Sequence, residues 1–126
     1  LEPLRDYTFV DDTVCGMIAA LGAGDEVLGR IINLGTGWAV SVGDIVQLVS
    51  RLTEVEKKVI TDPARIRPKK SEVDRLVSDN SMARELLGWE PSYASADGFS
   101  LALKKTIDWF MIPENLSRYD KLRYAI

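Results

Sequence analysis

Residues 65–91 read RIRPKKSEVDRLVSDNSMARELLGWEP. The first six of these residues hold four cations, namely Arg65, Arg67, Lys69 and Lys70. Cations this close repel one another unless they share an anion, and a guanidinium group can donate two parallel hydrogen bonds to phosphate oxygens. The second half predicts a short helix over Met82–Leu87 that ends at Gly88, with Trp89 packed as part of the stop. The stretch therefore predicts an anion-facing loop next to a capped helix.

The composition limits the possible functions. The chain has 126 residues, 46% of them apolar, and a net charge of −3. This length predicts one folded unit over 1–126, and the acidic balance argues against a nucleic-acid binder, which needs a basic face. The chain has no histidine, which removes histidine-assisted nucleophiles and the usual zinc ligand sets. The single cysteine, Cys15, cannot form an internal disulfide and is expected to be a partly buried filler.

The cellular location follows from the same counts. No uninterrupted apolar run approaches the roughly 20 residues of a membrane helix, and Leu1–Asp6 carry too much charge for a signal peptide. We therefore expect a cytoplasmic protein that binds neither a membrane nor nucleic acid.

The amino-terminal segment predicts a strand followed by a helix. Leu4–Val10 is rich in β-branched and aromatic residues, which favours an extended segment carrying Arg5. Asp11 or Asp12 is placed to cap the helix that follows. Apolar residues at helical spacing predict that this helix buries one face, made of Val14, Met17, Ile18 and Leu21.

A glycine-bounded apolar run lies in the middle of the chain. Arg30–Leu34 predicts a buried strand, and Gly35-Thr36-Gly37 follows it directly. A dinucleotide-binding fingerprint would need a third glycine at the position that Val40 occupies. We therefore interpret the segment as a tight turn, with Asn33 and Thr36 as turn formers.

The remaining segments predict further helices and one more strand. Ser41 and Asp44 fit a capping box before an amphipathic helix that contains Ile45, Leu48, Val49 and Leu52. A strand is predicted over Lys57–Thr61, and Asn80 or Ser81 is expected to cap the helix after it. The last long helix is predicted from Ser95–Asp97 to Phe110, followed by a short one that Pro113 begins. Alternating strands and helices predict an α/β fold.

Three segments in this order resemble the extended short-chain dehydrogenases/reductases that act on nucleotide sugars, the NAD-dependent epimerase/dehydratase family. Residues 5–12, RDYTFVDD, resemble that family's R-D-[aromatic]-x-[aromatic]-V-x-D segment. Residues 32–37, INLGTG, resemble its strand and turn Y-N-[IL]-G-[ST]-G. Arg67-Pro68 and the later LGWEP at 87–91 resemble its closing R-P and L-G-W-x-P elements.

Two subfamilies are similar to the third segment. Arg67-Pro68 with EVD at 72–74 and Leu76 resembles the R-P-x-E-V-D-x-L pattern of GDP-mannose 4,6-dehydratases, with Lys69–Ser71 as an insertion. The sequences KSEV at 70–73, VSDN at 77–80 and PENLS at 113–117 resemble the N-acetylglucosamine nucleotide 4,6-dehydratases of legionaminic acid pathways. The resemblance thus favours a 4,6-dehydratase that acts on a UDP- or GDP-linked N-acetylglucosamine.

The resemblance implies the carboxyl-terminal part of such an enzyme: the end of a Rossmann-like domain plus the small substrate-binding lobe, with 113–126 as a tail. It implies that Arg5 and Arg67 reach the substrate diphosphate together. It also implies that Glu72 lies near the ribose and that Arg75 is a further arginine near the diphosphate. The alternative for Arg5 is a surface ion pair with Asp6 or Asp11, a common arrangement of small energetic value.

The family's glycine-rich loop and Tyr-x-x-x-Lys pair are absent from this sequence. In the family, bound NAD takes a hydride from sugar C4, water is eliminated across C5 and C6, and the hydride returns to C6. We therefore expect this chain alone to bind a nucleotide diphosphate sugar, to bind no NAD and to be catalytically silent. Two alternatives remain: part of a nucleotide-sugar 4-epimerase, and a non-catalytic binding module that self-associates as a homo-oligomer.

Overall fold

The computed structural model describes residues 2–56, 59–60 and 73–119, and it confirms the predicted α/β class. These described residues contain three strands, β1 (Leu4–Arg5), β2 (Val40–Ser41) and β3 (Arg75–Leu76). The same part of the chain contains five α-helices, namely α1 (Val10–Leu21), α2 (Val42–Thr53), α3 (Ser81–Leu87), α4 (Ala96–Phe110) and α5 (Pro113–Leu116). One 3₁₀ turn, Asp25–Val27, follows α1.

The sheet places β1 in its centre. β1 pairs with β2 in antiparallel orientation and with β3 in parallel orientation. Arg5 lies opposite Val40 on one side and opposite Leu76 on the other. The R-D segment is therefore held between β2, which follows the INLGTG segment, and β3, which lies within the closing segment of the family resemblance.

The caps of α2 and α4 confirm the local predictions. The Ser41 hydroxyl accepts a hydrogen bond from the Asp44 amide at 3.0 Å, and the Asp44 carboxylate accepts one from the Ser41 amide at 3.2 Å. The Ser41 hydroxyl, followed by its backbone amide, lowers the pKa of Asp44. At the start of α4 the Ser95 hydroxyl accepts a hydrogen bond from the Gly98 amide at 3.0 Å. Both helices begin where their side chains satisfy amides that have no intrahelical partner.

The core of the described residues lies between the sheet, α3 and α4. Its buried apolar members are Val40, Ala83, Trp89, Phe99 and Ala102. The rings of Trp38 and Phe99 pack with their centroids 5.5 Å apart. The prediction that Trp89 forms a packed helix stop is confirmed, since it is 4% exposed and follows Gly88, which has a left-handed φ of 59°. Glycine adopts this conformation without the steric cost that other residues incur.

Three predictions for α1 are wrong. Phe9 occupies the cap position without a side-chain cap, and Asp11 and Asp12 lie inside the first turn. The apolar stripe is not buried: Ile18 is 62% and Leu21 88% exposed, and Val10, Val14 and Met17 are exposed as well. Helical periodicity identifies an apolar face but not what covers it. Cys15 is likewise exposed rather than partly buried.

The strand predicted over Arg30–Leu34 does not form. No strand is assigned there, and Ile31 is 88% exposed. A strand needs the backbone of a neighbouring strand, and none of the described strands lies beside this segment. The strand predicted over Lys57–Thr61 falls mostly outside the described residues.

Two further boundaries differ from expectation. The extended segment ends at Arg5 as a strand, and Val10 already begins α1. Asn80 precedes α3, but its side chain does not cap that helix.

Among the described helices, none is long and apolar enough to cross a membrane.

Candidate functional site

Residues from all three motif segments line one cleft of about 330 Å³. Its walls are Arg5, Asp6 and Thr8 of the R-D segment, Asn33–Gly35, and Leu76–Asp79. The volume falls at the lower end of the range of roughly 300 to 1,000 Å³ that small-molecule sites occupy. We refer to this feature as the R-D cleft.

Arg5 is partly buried on the central strand β1 and is hydrogen-bonded to the backbone just before β3. Its Nη1 donates to the Val73 carbonyl oxygen at 2.7 Å and to the Leu4 carbonyl oxygen at 2.9 Å. Val73 directly follows Glu72 in the sequence. The guanidinium group is therefore held next to the end of the segment that carries the other predicted ligands.

The Asp6 side chain accepts four hydrogen bonds in the R-D cleft. One carboxylate oxygen accepts from the Thr36 amide at 3.0 Å and from the Thr36 hydroxyl at 2.5 Å. The other accepts from the Gly37 amide at 2.9 Å and from the Ser78 amide at 3.1 Å. The Gly35–Gly37 turn thus wraps around a carboxylate of the chain itself. This supports the interpretation of a tight turn rather than a phosphate cradle.

Two asparagines join the other walls of the R-D cleft. The buried Asn80 donates from Nδ2 to the Gly35 carbonyl oxygen at 2.7 Å, which explains why it does not cap α3. Asn33 donates from Nδ2 to the Asp79 carbonyl oxygen at 3.4 Å. The Ser81 hydroxyl and then its amide lower the pKa of Asp79, which lies at the rim and is exposed. The residues after β3 are therefore fastened to the glycine-rich turn by side chains.

Asp12 makes the same kind of connection to the L-G-W-x-P segment. It is 3% exposed, and its two carboxylate oxygens accept from the Ser92 amide at 2.8 Å and the Tyr93 amide at 3.1 Å. Its backbone carbonyl accepts from Trp89 Nε1 at 3.0 Å. The two aspartates of the R-D motif therefore anchor the two other segments.

Lys105 of α4 forms a smaller cluster on the surface near α1. Its Nζ donates to the Tyr93 hydroxyl at 2.5 Å and lies 3.6 Å from an Asp11 carboxylate oxygen. The hydrogen bond to Tyr93 raises the pKa of Lys105, and the nearby Asp11 carboxylate adds to this effect. Asp11 thus has a lysine partner.

The structure places only part of the predicted substrate-binding set. Arg5 lies in the R-D cleft, whereas Arg75 is exposed on β3 and is not among the residues that line the cleft. Arg5 pairs in register with Leu76, and successive side chains of a strand point to opposite faces, so Arg75 is expected on the face opposite Arg5. Arg67 and Glu72 lie outside the described residues. The convergence of Arg5 and Arg67 on one diphosphate therefore stays a prediction.

The sequence reasoning missed the roles of Asp6 and Asp12. The sequence alone predicts Asp6 only as an ion-pair partner of Arg5, and Asp12 only as a helix cap. The available signal was their place beside aromatic and apolar residues in the R-D-[aromatic]-x-[aromatic]-V-x-D segment, since a carboxylate that becomes buried needs hydrogen-bond donors. Within the described residues, no group of three or more acidic or thiol side chains is arranged to hold a metal ion.

Comparison with known proteins identifies relatives over most of the chain. The family model described as GDP-mannose 4,6 dehydratase matches residues 1–101. A UDP-glucuronate 4-epimerase of Thermodesulfobacterium geofontis is 36% identical over 107 residues, covering 83% of this chain and 29% of that protein. The chain therefore spans less than a third of the length of this relative.

Solved structures show the same relationship. The crystal structure of a UDP-glucose 4-epimerase from Thermotoga maritima with UDP-glucose has a TM-score of 0.71 and 32% identity, covering 87% of this chain and 32% of that one. A UDP-glucuronic acid 4-epimerase of Bacillus cereus in complex with UDP-glucuronic acid and NAD has a TM-score of 0.64 and 27% identity, covering 85% of this chain and 32% of that one. Both similarities extend over nearly the whole described fold.

Proposed function

The chain belongs to the NAD-dependent epimerase/dehydratase family of extended short-chain dehydrogenases/reductases, and from this we propose that it is the nucleotide-sugar-binding part of a sugar-nucleotide 4,6-dehydratase. The proposed ligand is a UDP- or GDP-linked N-acetylglucosamine. The Thermotoga maritima relative holds UDP-glucose, which supports a nucleotide diphosphate sugar as the ligand class.

One observation supports the proposal most directly: the three motif segments line a single cleft, and Arg5 lies in it. Arg5 and Val73 are 68 residues apart in the sequence, and Asp6 and Ser78 are 72 apart, yet the sheet and the Asp6 carboxylate bring these segments together. A guanidinium group suits a diphosphate because its N–H donors match the spacing of phosphate oxygens. Arg67, as the second proposed arginine, would complete the site from the segment before Val73.

The choice between dehydration and epimerisation rests on the relatives. The family model favours a 4,6-dehydratase, whereas the relatives named above are 4-epimerases. The chain's resemblance to the R-P-x-E-V-D-x-L pattern favours dehydration. The runner-up is therefore part of a nucleotide-sugar 4-epimerase with the same diphosphate site.

NAD, when bound, would supply the acceptor for the hydride of sugar C4 in either reaction. The Gly35–Gly37 turn does not serve as a cradle for its pyrophosphate, because the Thr36 and Gly37 amides donate to Asp6. The contribution that we propose for this chain is to hold the diphosphate of the substrate and so to orient the sugar.

Removal of Arg5 tests the proposal. We expect titration calorimetry to show binding of a UDP- or GDP-sugar, and Arg5→Ala to weaken it by about 10- to 100-fold, since hydrogen bonds to charged groups contribute roughly 1.5–3 kcal/mol. Arg67→Ala is expected to weaken binding at least as much. The loss should appear with UDP or GDP alone but not with uridine or guanosine.

Arg84→Ala is the matched control. Arg84 is an exposed arginine on α3, outside the R-D cleft, whose guanidinium lies 3.7 Å from Glu90. Its removal changes the net charge equally and should leave the affinity within about twofold, as expected for a distant, independent site. Absence of binding by the wild-type chain, or an equal loss in Arg84→Ala, would refute the proposal.

The exposed face of α1 supports a second candidate function. We infer that the isolated chain self-associates through Val10, Val14, Met17, Ile18 and Leu21, because contiguous exposed apolar surface favours association. A second copy is the proposed occupant, since an apolar stripe without lysine or arginine on its helix is complementary to itself.

Light scattering tests this inference. We expect a mass above the 14.0 kDa of the monomer, and a return to that mass in Ile18→Lys, because a buried lysine at an apolar contact is strongly unfavourable. Leu101→Lys on α4 is the control, since Leu101 is similarly exposed at 53%. A wild-type monomer at high concentration, or the same behaviour in both variants, counts against self-association through α1.

A further inference from the structure

Asp6 uses the full hydrogen-bonding capacity of its carboxylate on the chain itself. Two ionised carboxylate oxygens offer about four lone-pair positions. Each oxygen accepts two hydrogen bonds, the first from the amide and hydroxyl of Thr36 and the second from the amides of Gly37 and Ser78. The carboxylate therefore has a structural use for every acceptor position, which does not fit the alternative of a simple surface ion pair between Asp6 and Arg5.

These hydrogen bonds also determine where β1 lies relative to β3. The Asp6 amide donates to the Leu76 carbonyl oxygen at 3.1 Å, while its side chain holds the Ser78 amide. Residue 6 is thus attached to the exit of β3 by both backbone and side chain. Arg5, the preceding residue, is attached by Nη1 to Val73 at the entry of β3.

The same arrangement changes the electrostatics of the R-D cleft. A carboxylate one residue from Arg5 would repel a diphosphate if it faced the ligand. Three backbone amides and a hydroxyl form a concave set of donors around it, and such sets carry partial positive charge that offsets an anion. The Asp6 carboxylate faces the Gly35–Gly37 turn, and the donors there offset its negative charge.

We propose that Asp6 is a positioning residue for the diphosphate site, which holds the Arg5 guanidinium in its binding orientation by fixing β1 to the glycine turn and to the exit of β3. This rests on the proposed function for the role of Arg5. Asp6 itself does not contact the ligand.

The direction in which one substitution changes the affinity for a diphosphate separates this proposal from a simple charge effect. Asp6→Asn removes a negative charge near the site, which on electrostatic grounds alone would tighten the binding of a diphosphate. If Asp6 positions Arg5, the same change weakens binding by about tenfold, because an amide nitrogen replaces one acceptor oxygen and faces N–H donors. Asp79→Asn is the control for charge alone. It removes a negative charge at the exposed rim of the same cleft and should tighten binding slightly.

The proposal also predicts that Asp6 acts through Arg5. Measured by titration calorimetry with UDP or GDP, Asp6→Asn should weaken binding about tenfold in the wild-type chain but less than about twofold in an Arg5→Ala background. A general loss of structure would weaken both backgrounds equally. Tighter binding by Asp6→Asn, or an equal loss in both backgrounds, overturns the positioning role.

Hydrogen exchange supplies a measurement that does not depend on the ligand. The amides of Thr36, Gly37 and Ser78 should exchange about tenfold faster in Asp6→Asn than in the wild type, whereas amides in α4 should be unaffected. Unchanged exchange at these three amides overturns the inference even if Arg5→Ala behaves as expected. Failure of the wild-type chain to bind any nucleotide overturns the proposed function and, with it, the diphosphate role of Asp6.

Discussion

Asp12→Ala is expected to lower the free energy of unfolding by about 3 kcal/mol, because it removes a charged acceptor of two part-buried amide hydrogen bonds, and each hydrogen bond to a charged group contributes roughly 1.5–3 kcal/mol. The two amides belong to Ser92 and Tyr93, and Asp12 is 3% exposed. Tyr93 packs edge-on against Phe9 at a centroid distance of 4.9 Å, so the turn that Asp12 holds also positions an aromatic contact. Thermal unfolding should show a fall in melting temperature of roughly 10 °C.

Asp11 provides a matched control in the adjacent position. Its carboxylate is exposed and lies 3.6 Å from Lys105 Nζ. An exposed ion pair contributes about 0–1 kcal/mol, so Asp11→Ala should change the melting temperature little. Equal losses in the two variants would mean that the two amide hydrogen bonds of the Asp12 carboxylate contribute no more to stability than an exposed ion pair.

The fold could be predicted from the sequence wherever the signal is local. The capping box of Ser41 and Asp44 lies within four residues, and both side chains satisfy amides of their own helix. The end of α3 at Gly88 and the start of α4 after Ser95 depend on equally short spans. Such signals act before any tertiary contact forms, so the sequence alone contains them.

The parts that could not be predicted depend on distant partners. Asp12 looks like a helix cap because its neighbours in sequence are a helix, but its donors are 80 and 81 residues away. The apolar stripe of α1 has the correct period, yet period says nothing about whether another element covers it. The same holds for Arg30–Leu34, whose composition suits a strand but which has no partner strand among the described residues.

The candidate site shows the same division. Arginine chemistry and motif order identified Arg5 as a ligand candidate, and the structure places it in a cleft with the other motif segments. The role of Asp6 needs three-dimensional information, because its donors come from Thr36, Gly37 and Ser78. A motif can thus reveal which residues matter before their partners can be named.

Gly35→Ala is expected to destabilise the chain by about 1–3 kcal/mol, the cost of adding a methyl group to a packed site. A Cβ at Gly35 would collide with the Ser78 Cβ, lie 2.6 Å from the Ser78 hydroxyl oxygen and lie 3.0 Å from an Asp6 carboxylate oxygen. The Ser78 Cβ is bonded to the backbone and cannot rotate away, so the exit of β3 has to move. The hydrogen bond from the Ser78 amide to Asp6 would then lengthen, and nucleotide binding should weaken together with stability.

Two further variants make this prediction specific. Gly22 follows the last residue of α1 and has a φ of −89°, which alanine also adopts, and a Cβ there would lie 3.7 Å or more from its neighbours. Gly22→Ala should therefore stabilise the folded chain slightly, by about 0.4–1 kcal/mol. Ser78→Gly in the Gly35→Ala background removes the colliding side chain while keeping the amide, and it should recover most of the loss. Denaturant unfolding measures all three; a Gly35→Ala variant as stable as Gly22→Ala, or a double variant without recovery, would show that the contact between Gly35 and Ser78 does not limit the packing of the R-D cleft.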